Sequence, residues 1–266
     1  GMYQREKEAI ERGEVIPGVY ISEETKIIYQ DFATYKTVKE REFEENRKTG
    51  SMISYVFDAL NKGDIVYQDG KLLDRNGNEF TNPPLFEHDF KEYSFAEAFT
   101  DFVPIVEAIN NQLNAWKSNK NVKAVYTEQE MYSPRFNVYG RADVILEYND
   151  GTFVIVDIKS SINSSIENGK LAKSYTKQIG IFRPGSPLHM FGARSKSSIH
   201  KVQLSIYAKL LEATGRKLHG KKSIIILPIQ IIKEKGTSVG IKIEGAINHE
   251  YASVERMAMT EVFNDI

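Results

Sequence analysis

Residues 138–159 read Val138-Tyr139-Gly140-Arg141-Ala142-Asp143-Val144-Ile145-Leu146-Glu147-Tyr148-Asn149-Asp150-Gly151-Thr152-Phe153-Val154-Ile155-Val156-Asp157-Ile158-Lys159. Two apolar, β-branched runs flank Asn149-Asp150-Gly151, so the stretch reads as strands 138–148 and 152–159 joined in a hairpin. A three-residue hairpin loop favours a type I turn with its last residue left-handed, a position that suits Gly151. Tyr148 then pairs with Thr152, and the same register sets Asp143 across from Asp157. Side chains alternate along a strand, so Arg141, Asp143 and Ile145 share a face, as do Phe153, Ile155, Asp157 and Lys159. The two carboxylates would have Cβ atoms about 4.5–5.5 Å apart, and like charges so placed weaken a hairpin. A divalent cation offsets that repulsion, and hard oxygen donors suit Mg²⁺ or Mn²⁺. Lys159 adds a positive charge that can orient or activate a water, and attack on a phosphodiester is the chemistry such a cluster serves. An isolated Asp-x-Lys carries little weight; the second acid at the paired position is what distinguishes this one.

Outward from the hairpin, hydrophobic periodicity and turn residues lay out the rest of the chain. A charged helix is expected at 35–48, a second helix at 52–60 after Gly50-Ser51, and a hairpin over 65–80 with turns at Asp69-Gly70 and Asn76-Gly77. Asn82-Pro83-Pro84 reads as a break. The clearest helix is expected at 94–117, with Ser94 and Glu97 as a capping box, Phe95, Phe99, Phe102, Val106 and Ile109 as its apolar face, and Pro104 as a kink. A further strand is expected at 122–132, a long loop at 160–198, a helix at 199–213, strands at 223–233 and 240–244, and a helix at 251–262. The division expected is an N-terminal helical cap over 1–93, part of one domain with a core over 94–266.

The chain has 266 residues, 41% hydrophobic and 27% charged, values of a globular protein with a substantial core. It has no cysteine, which excludes disulfides, thiolate zinc sites, a cysteine nucleophile and a four-cysteine iron–sulfur cluster. No run of 18 apolar residues occurs, and residues 1–14 are charged, so no membrane partner and no signal peptide are expected, and a cytoplasmic location fits. Net charge is −1, but residues 159–222 hold thirteen Lys and Arg against two acids, Glu167 and Glu212. That segment is a candidate surface for a polyanion. None of the five histidines stands in a metal-ligand spacing.

Three motifs in order carry a resemblance. Gly140-Arg141-Ala142-Asp143, then Asp157-Ile158-Lys159, then Gln203-Leu204-Ser205-Ile206-Tyr207 resembles the PD-(D/E)XK nuclease superfamily, and within it the branch of RecB-type and lambda-type exonucleases. The resemblance covers roughly residues 50–227, with a long insertion before the glutamine. It implies an α/β, restriction-endonuclease-like core, a central mixed sheet flanked by helices, behind an N-terminal helical region. It implies a metal-dependent deoxyribonuclease, an exonuclease first, serving recombination, repair or phage DNA processing. Asp143, Asp157 and the Ile158 carbonyl would hold Mg²⁺ or Mn²⁺, Lys159 would be the catalytic lysine, and Gln203 and Tyr207 would face the site from one side of a helix. Arg141, Lys173, Lys177, Arg183, Arg194, Lys196 and Lys201 would contact DNA. Ring-forming relatives in this branch make a homo-oligomer compatible with the reading. One departure stands out. The family's upstream helix reads G-T-x-x-H-x-x-L-E, and here Ser54 occupies the histidine position and Asp58 the acid position. Asp58 is thus a candidate third acidic ligand, with Glu107, Glu128 and Glu130 as rivals. The alternative is a DNA-binding or assembly protein on the same fold that does not cleave.

Overall fold

The structure is a computed structural model that describes residues 20–21, 28–29, 32–80, 84–88, 91–95, 101–134, 137–161, 166–167, 170–171, 177–220, 223–234, 237–249, 251 and 253–264. The chain divides into two compact units, residues 1–48 and 49–266. In the first, β1 (Tyr20–Ile21) and β2 (Ile28–Tyr29) pair antiparallel, and helix α1 (Phe32–Lys62) begins. The helix does not break at Gly50-Ser51, as the sequence suggested. A Cβ at Gly50 would sit 2.9 Å from Ser160 Oγ, so the glycine serves a close approach inside a helix that continues.

The second unit is α/β, built on a mixed seven-stranded sheet. Two small hairpins precede it, β3 (Ile65–Gln68) with β4 (Lys71–Asp74), and β5 (Leu85–His88) with β6 (Lys91–Ser94). Asp69 and Gly70 both take positive φ between β3 and β4, the backbone that a two-residue hairpin turn requires. Ser94 therefore ends a strand, and the α-helix that follows begins nine residues later. Helix α2 is Val103–Lys117, with Pro104 in its first turn, where the missing N–H costs nothing, and not at a kink. Glu97 and Phe99 lie outside the described residues. Phe95 is buried, but through ring contacts with Tyr55, Phe86 and Phe102.

The sheet then runs through β7 (Val122–Ser133), β8 (Val138–Tyr148) and β9 (Thr152–Ser161) as an antiparallel meander. Two short pairs follow, β10 (Ile166–Glu167) with β11 (Lys170–Leu171), and β12 (Gly180–Ile181) with β13 (Ala193–Arg194), and a 3₁₀ turn spans Pro187–Phe191. Helix α3 (Lys196–Ala213) leads to β14 (Lys217–Leu218) and β15 (Ile224–Glu234), both parallel to β9. Strands β16 (Thr237–Ile243) and β17 (Ile247–His249) pair antiparallel with β15, and α4 (Ser253–Asn264) closes the chain. The sheet order is β16-β15-β9-β8-β7, with β14 beside β9 and β17 beside β15.

Helices cover both faces. On one, Met52, Ile53, Val56 and Phe57 of α1 and Ile105, Val106, Ile109 and Leu113 of α2 pack on Val144, Leu146, Val154, Val156 and Ile158. On the other, Leu204, Ala208 and Leu211 of α3 and Ala258, Met259 and Phe263 of α4 pack on Ile145, Phe153, Ile155 and Ile224. Strand β9 is buried from Phe153 to Ile158, which explains its unbroken apolar run. Among the described residues no helix is long and apolar enough to cross a membrane.

Candidate active site

The β8–β9 hairpin has the expected loop. Gly151 takes φ 76° and its N–H donates to the Tyr148 carbonyl at 2.9 Å. The register also holds: Glu147 pairs with Phe153, Leu146 with Val154, Ile145 with Ile155 and Val144 with Val156. There the ladder stops. Asp143 does not continue it through its backbone. Its Oδ2 accepts from the Ile158 N–H at 2.7 Å, so a side chain replaces the next main-chain acceptor. On its other edge β9 stays paired to β15 as far as Ser161 with Gln230. A strand residue sends its N–H and C=O to the same edge, so the Ile158 carbonyl also faces the side where β8 has parted from β9.

Asp157 is 2% exposed, and its Oδ1 accepts from Lys159 Nζ at 2.9 Å. Its Oδ2 is buried with no hydrogen-bond partner. Burial pushes the Asp157 carboxyl up to about 7; Lys159 pulls against that shift and the Asp143 charge adds to it. Burial raises Asp143 as well, held back by the Ile158 N–H, Lys159 and Arg141. Burial works to lower the Lys159 ammonium, but Asp157 and Asp143 outweigh it, so the lysine stays charged. A buried carboxylate oxygen without a donor costs about 1–3 kcal/mol. A cation would supply what this oxygen lacks, and the donor set is all hard oxygen, which fits Mg²⁺ or Mn²⁺. Among the described residues, no group of three or more His, Cys, Asp or Glu converges as a metal cluster. The candidate donors are two carboxylates, Asp143 and Asp157, and the Ile158 carbonyl.

Helix α3 flanks the pair. Ser195 caps it in a reciprocal box with Ser198, one turn earlier than the sequence suggested. Gln203 Nε2 donates to Tyr207 Oη at 2.9 Å, as expected for neighbours at i and i+4. Tyr207 stands near enough to Lys159 for its phenol to favour the charged ammonium. Gly140 makes room for it: a Cβ there would lie 2.8 Å from Tyr207 Cε1 and 3.1 Å from Leu210 Cδ1. The glycine of the first motif is thus the seat of the tyrosine of the third.

On the far side of Asp143 the sheet turns over. Ala142 and Ile145 pack in the core under α3, while Val144 packs under α1, so strict alternation fails at Asp143. Strand β7 turns at the matching place. Thr127 pairs with Val144 and Gln129 with Ala142, which sets Glu128 across from Asp143 with φ 46°. A left-handed glutamate inside a strand is strained. Glu128 is ion-paired to Arg141 Nε at 2.8 Å. Burial raises its carboxyl; Arg141 lowers it, and the charges of Asp143 and Asp58 raise it further. Nothing in the sequence marked Glu128 above its rivals, because a left-handed turn inside a strand leaves no compositional trace when no glycine supplies it.

The other expected residues fall as follows. Asp58 reaches this neighbourhood, but Thr127 Oγ1 donates to its Oδ1 and Lys62 Nζ to its Oδ2, each at 2.7 Å. Glu130 accepts from the Tyr139 hydroxyl at 2.9 Å, and Glu107 lies on α2 beside Tyr67. Lys177, Arg183, Arg194 and Lys196 are exposed. Lys201 is ion-paired to Glu255, and Lys173 lies outside the described residues. Compared with known proteins, the chain matches no protein-family model, and no curated protein matches its sequence.

Proposed function

We propose that this protein is a divalent-metal-dependent deoxyribonuclease with a restriction-endonuclease-like core, akin to the RecB-type and lambda-type exonucleases. The observation that carries the reading is Asp157: a buried carboxylate with one oxygen on Lys159 and the other unpartnered, on the strand next to Asp143. Asp143, Asp157 and the Ile158 carbonyl would hold Mg²⁺ or Mn²⁺. When bound, such an ion supplies Lewis acidity toward a phosphate oxygen and lowers the pKa of water. Asp143 spends one oxygen on the Ile158 N–H, which fixes the β9 backbone at the site and leaves the other oxygen free of that bond. Lys159 remains an ammonium and offers donors to negative charge that develops as the phosphodiester breaks. Tyr207, hydrogen-bonded to Gln203, would stand beside Lys159 on the helix side of the site. The exposed cations between Lys177 and Lys196 would contact phosphates.

One observation favours a second reading, a DNA-binding protein that does not cleave. Ser54 stands where relatives have a histidine, and both oxygens of Asp58 are engaged by Thr127 and Lys62. End-labelled linear DNA and closed circular DNA, incubated with Mg²⁺, Mn²⁺ or EDTA, separate the readings. Metal-dependent loss of linear DNA that Asp157→Ala abolishes is the expected result for an exonuclease. Nicking of the circle would make it an endonuclease. Retained binding without metal-dependent cleavage of either would refute the nuclease reading.

A further inference from the structure

Arg141 belongs to the Gly140-Arg141-Ala142-Asp143 run, and the sheet sets the direction in which it leaves the strand. Gly140 and Ala142 face α3, so Arg141 leaves the opposite face of β8, about 7 Å before Asp143 along the strand. The acid directly across from it is Glu130. Arg141 does not take that partner. Glu130 accepts from the Tyr139 hydroxyl, and Arg141 pairs with Glu128, which stands across from Asp143. The guanidinium is therefore drawn diagonally along the sheet, toward the two carboxylates. Its charge helps to hold the Asp143 carboxyl down against burial.

Folding alone does not explain this pair. Glu128 takes φ 46° within a paired strand, and a left-handed residue other than glycine is strained there. The offsetting gain is small: Arg141 is 59% exposed, and an ion pair with so exposed a partner contributes less than such strain costs. Strain of this kind persists where the geometry serves a site. The contact to Glu128 is made at Nε, at the base of the guanidinium, and among the described residues Arg141 has no second ion-pair partner. The outer Nη groups are left as a planar fork, the shape that grips two oxygens of a phosphate. We propose that Glu128 is a positioning residue for Arg141, holding the guanidinium at Nε so that its fork meets the non-bridging oxygens of a phosphate placed at Asp143 and Asp157. The inference rests on the nuclease reading and adds a second cation on the reacting group. Lys159 lies beside Tyr207 on the α3 side, and Arg141 leaves the other side, so negative charge developing on the phosphate is met from both. Glu128 touches neither the substrate nor the metal in this account.

The test uses the full chain, end-labelled linear DNA in Mg²⁺, and Mn²⁺ affinity measured by electron paramagnetic resonance. Arg141→Lys and Glu128→Ala should each lower kcat about tenfold or more, because a misplaced group forfeits its oriented contact. Glu128→Gln keeps a neutral acceptor for Nε and should keep most of the rate. The double variant Glu128→Ala, Arg141→Ala should be no slower than Arg141→Ala, since one residue acts through the other. Added ethylguanidinium should restore part of the rate to Arg141→Ala, and none once Glu128→Ala is added. Mn²⁺ affinity should match the wild type in every variant, and melting temperatures identify any variant that fails to fold. Additive losses, or rescue that does not need Glu128, would overturn the positioning role and leave the nuclease standing. Weakened Mn²⁺ binding in Glu128→Gln would overturn it too, and make Glu128 a metal ligand. If the wild type binds DNA but does not cut it, the nuclease reading fails; the same cycle is then read from DNA affinity in Ca²⁺, where a non-additive loss supports the pair and an additive one overturns it.

Discussion

Replacing Asp157 by asparagine should change how the metal-free protein responds to pH, and by an amount the structure sets. The carboxyl is pushed from an ordinary 3.8 to about 7. Three pKa units correspond to about 4 kcal/mol, an upper bound for one group. The sign is fixed by which state holds the proton. Between about pH 4 and 7 the folded protein keeps a proton on Asp157 that the unfolded chain has released. Stability therefore falls as pH rises through that window and levels off above it. Asp143, also raised, acts in the same direction. Lys159 is charged across the window and adds no slope. From pH 5 to 8 the wild type should lose roughly 3 kcal/mol through Asp157, because two of the three units lie there. Urea unfolding in EDTA at pH 5 and pH 8 measures it. The asparagine variant should lack that loss, whatever constant cost it bears for leaving Lys159 without its partner. Saturating Mn²⁺ should stabilise the wild type more at pH 8 than at pH 5, since the ion competes with the proton. Equal pH slopes in wild type and variant would refute the account of a buried, proton-loving carboxylate.

Gly140→Ala should displace Tyr207, costing about 1–3 kcal/mol of stability and most of the metal-dependent cleavage. Adding Tyr207→Ala should return the stability but not the activity, and thermal melts beside a nuclease assay check both. Glu128→Gly should raise the melting temperature, because relief of a left-handed residue is worth about 1–3 kcal/mol before the entropy of glycine is subtracted, while DNA cleavage falls; a lowered melting temperature would contradict the strain. Ser195→Ala should cost about 1 kcal/mol by removing the reciprocal cap of α3, measured by urea unfolding, with Gln203 and Tyr207 left in register.

The central hairpin was legible because two local signals agreed, apolar runs of strand length and a loop of asparagine, aspartate and glycine; the ladder ends at Val144 with Val156, one pair short of the two acids, because alternation fails at Asp143. That Gln203 and Tyr207 are neighbours, and that Asp157 and Lys159 lie together, followed from spacing. Other readings failed where a residue met a distant partner. Gly50 looked like a break and is a contact with Ser160. Phe95 looked like the start of a helix and belongs to an aromatic cluster with Phe86 and Phe102, so helical spacing there was met by two different structures. Glu128 was one acid among several until β7 and β8 were paired, because only the register puts it across from Asp143.

Strand β9 has two kinds of neighbour, and they join it at different distances along the chain. Its contact with β8 closes a three-residue loop, whereas its contact with β15 pairs Ile155 with Ile224 and spans α3 and the whole basic segment. Short loops close faster and at lower entropic cost than long ones. The two carboxylates are therefore expected to meet early in folding, before α3 and β15 enclose them and while water still surrounds both charges. Pulsed hydrogen exchange during refolding should protect the amides of Leu146 and Val154 before those of Ile225 and Ile229. A protein that folds in this order brings its most repulsive pair together when solvation makes that cheapest, and withdraws the water afterwards.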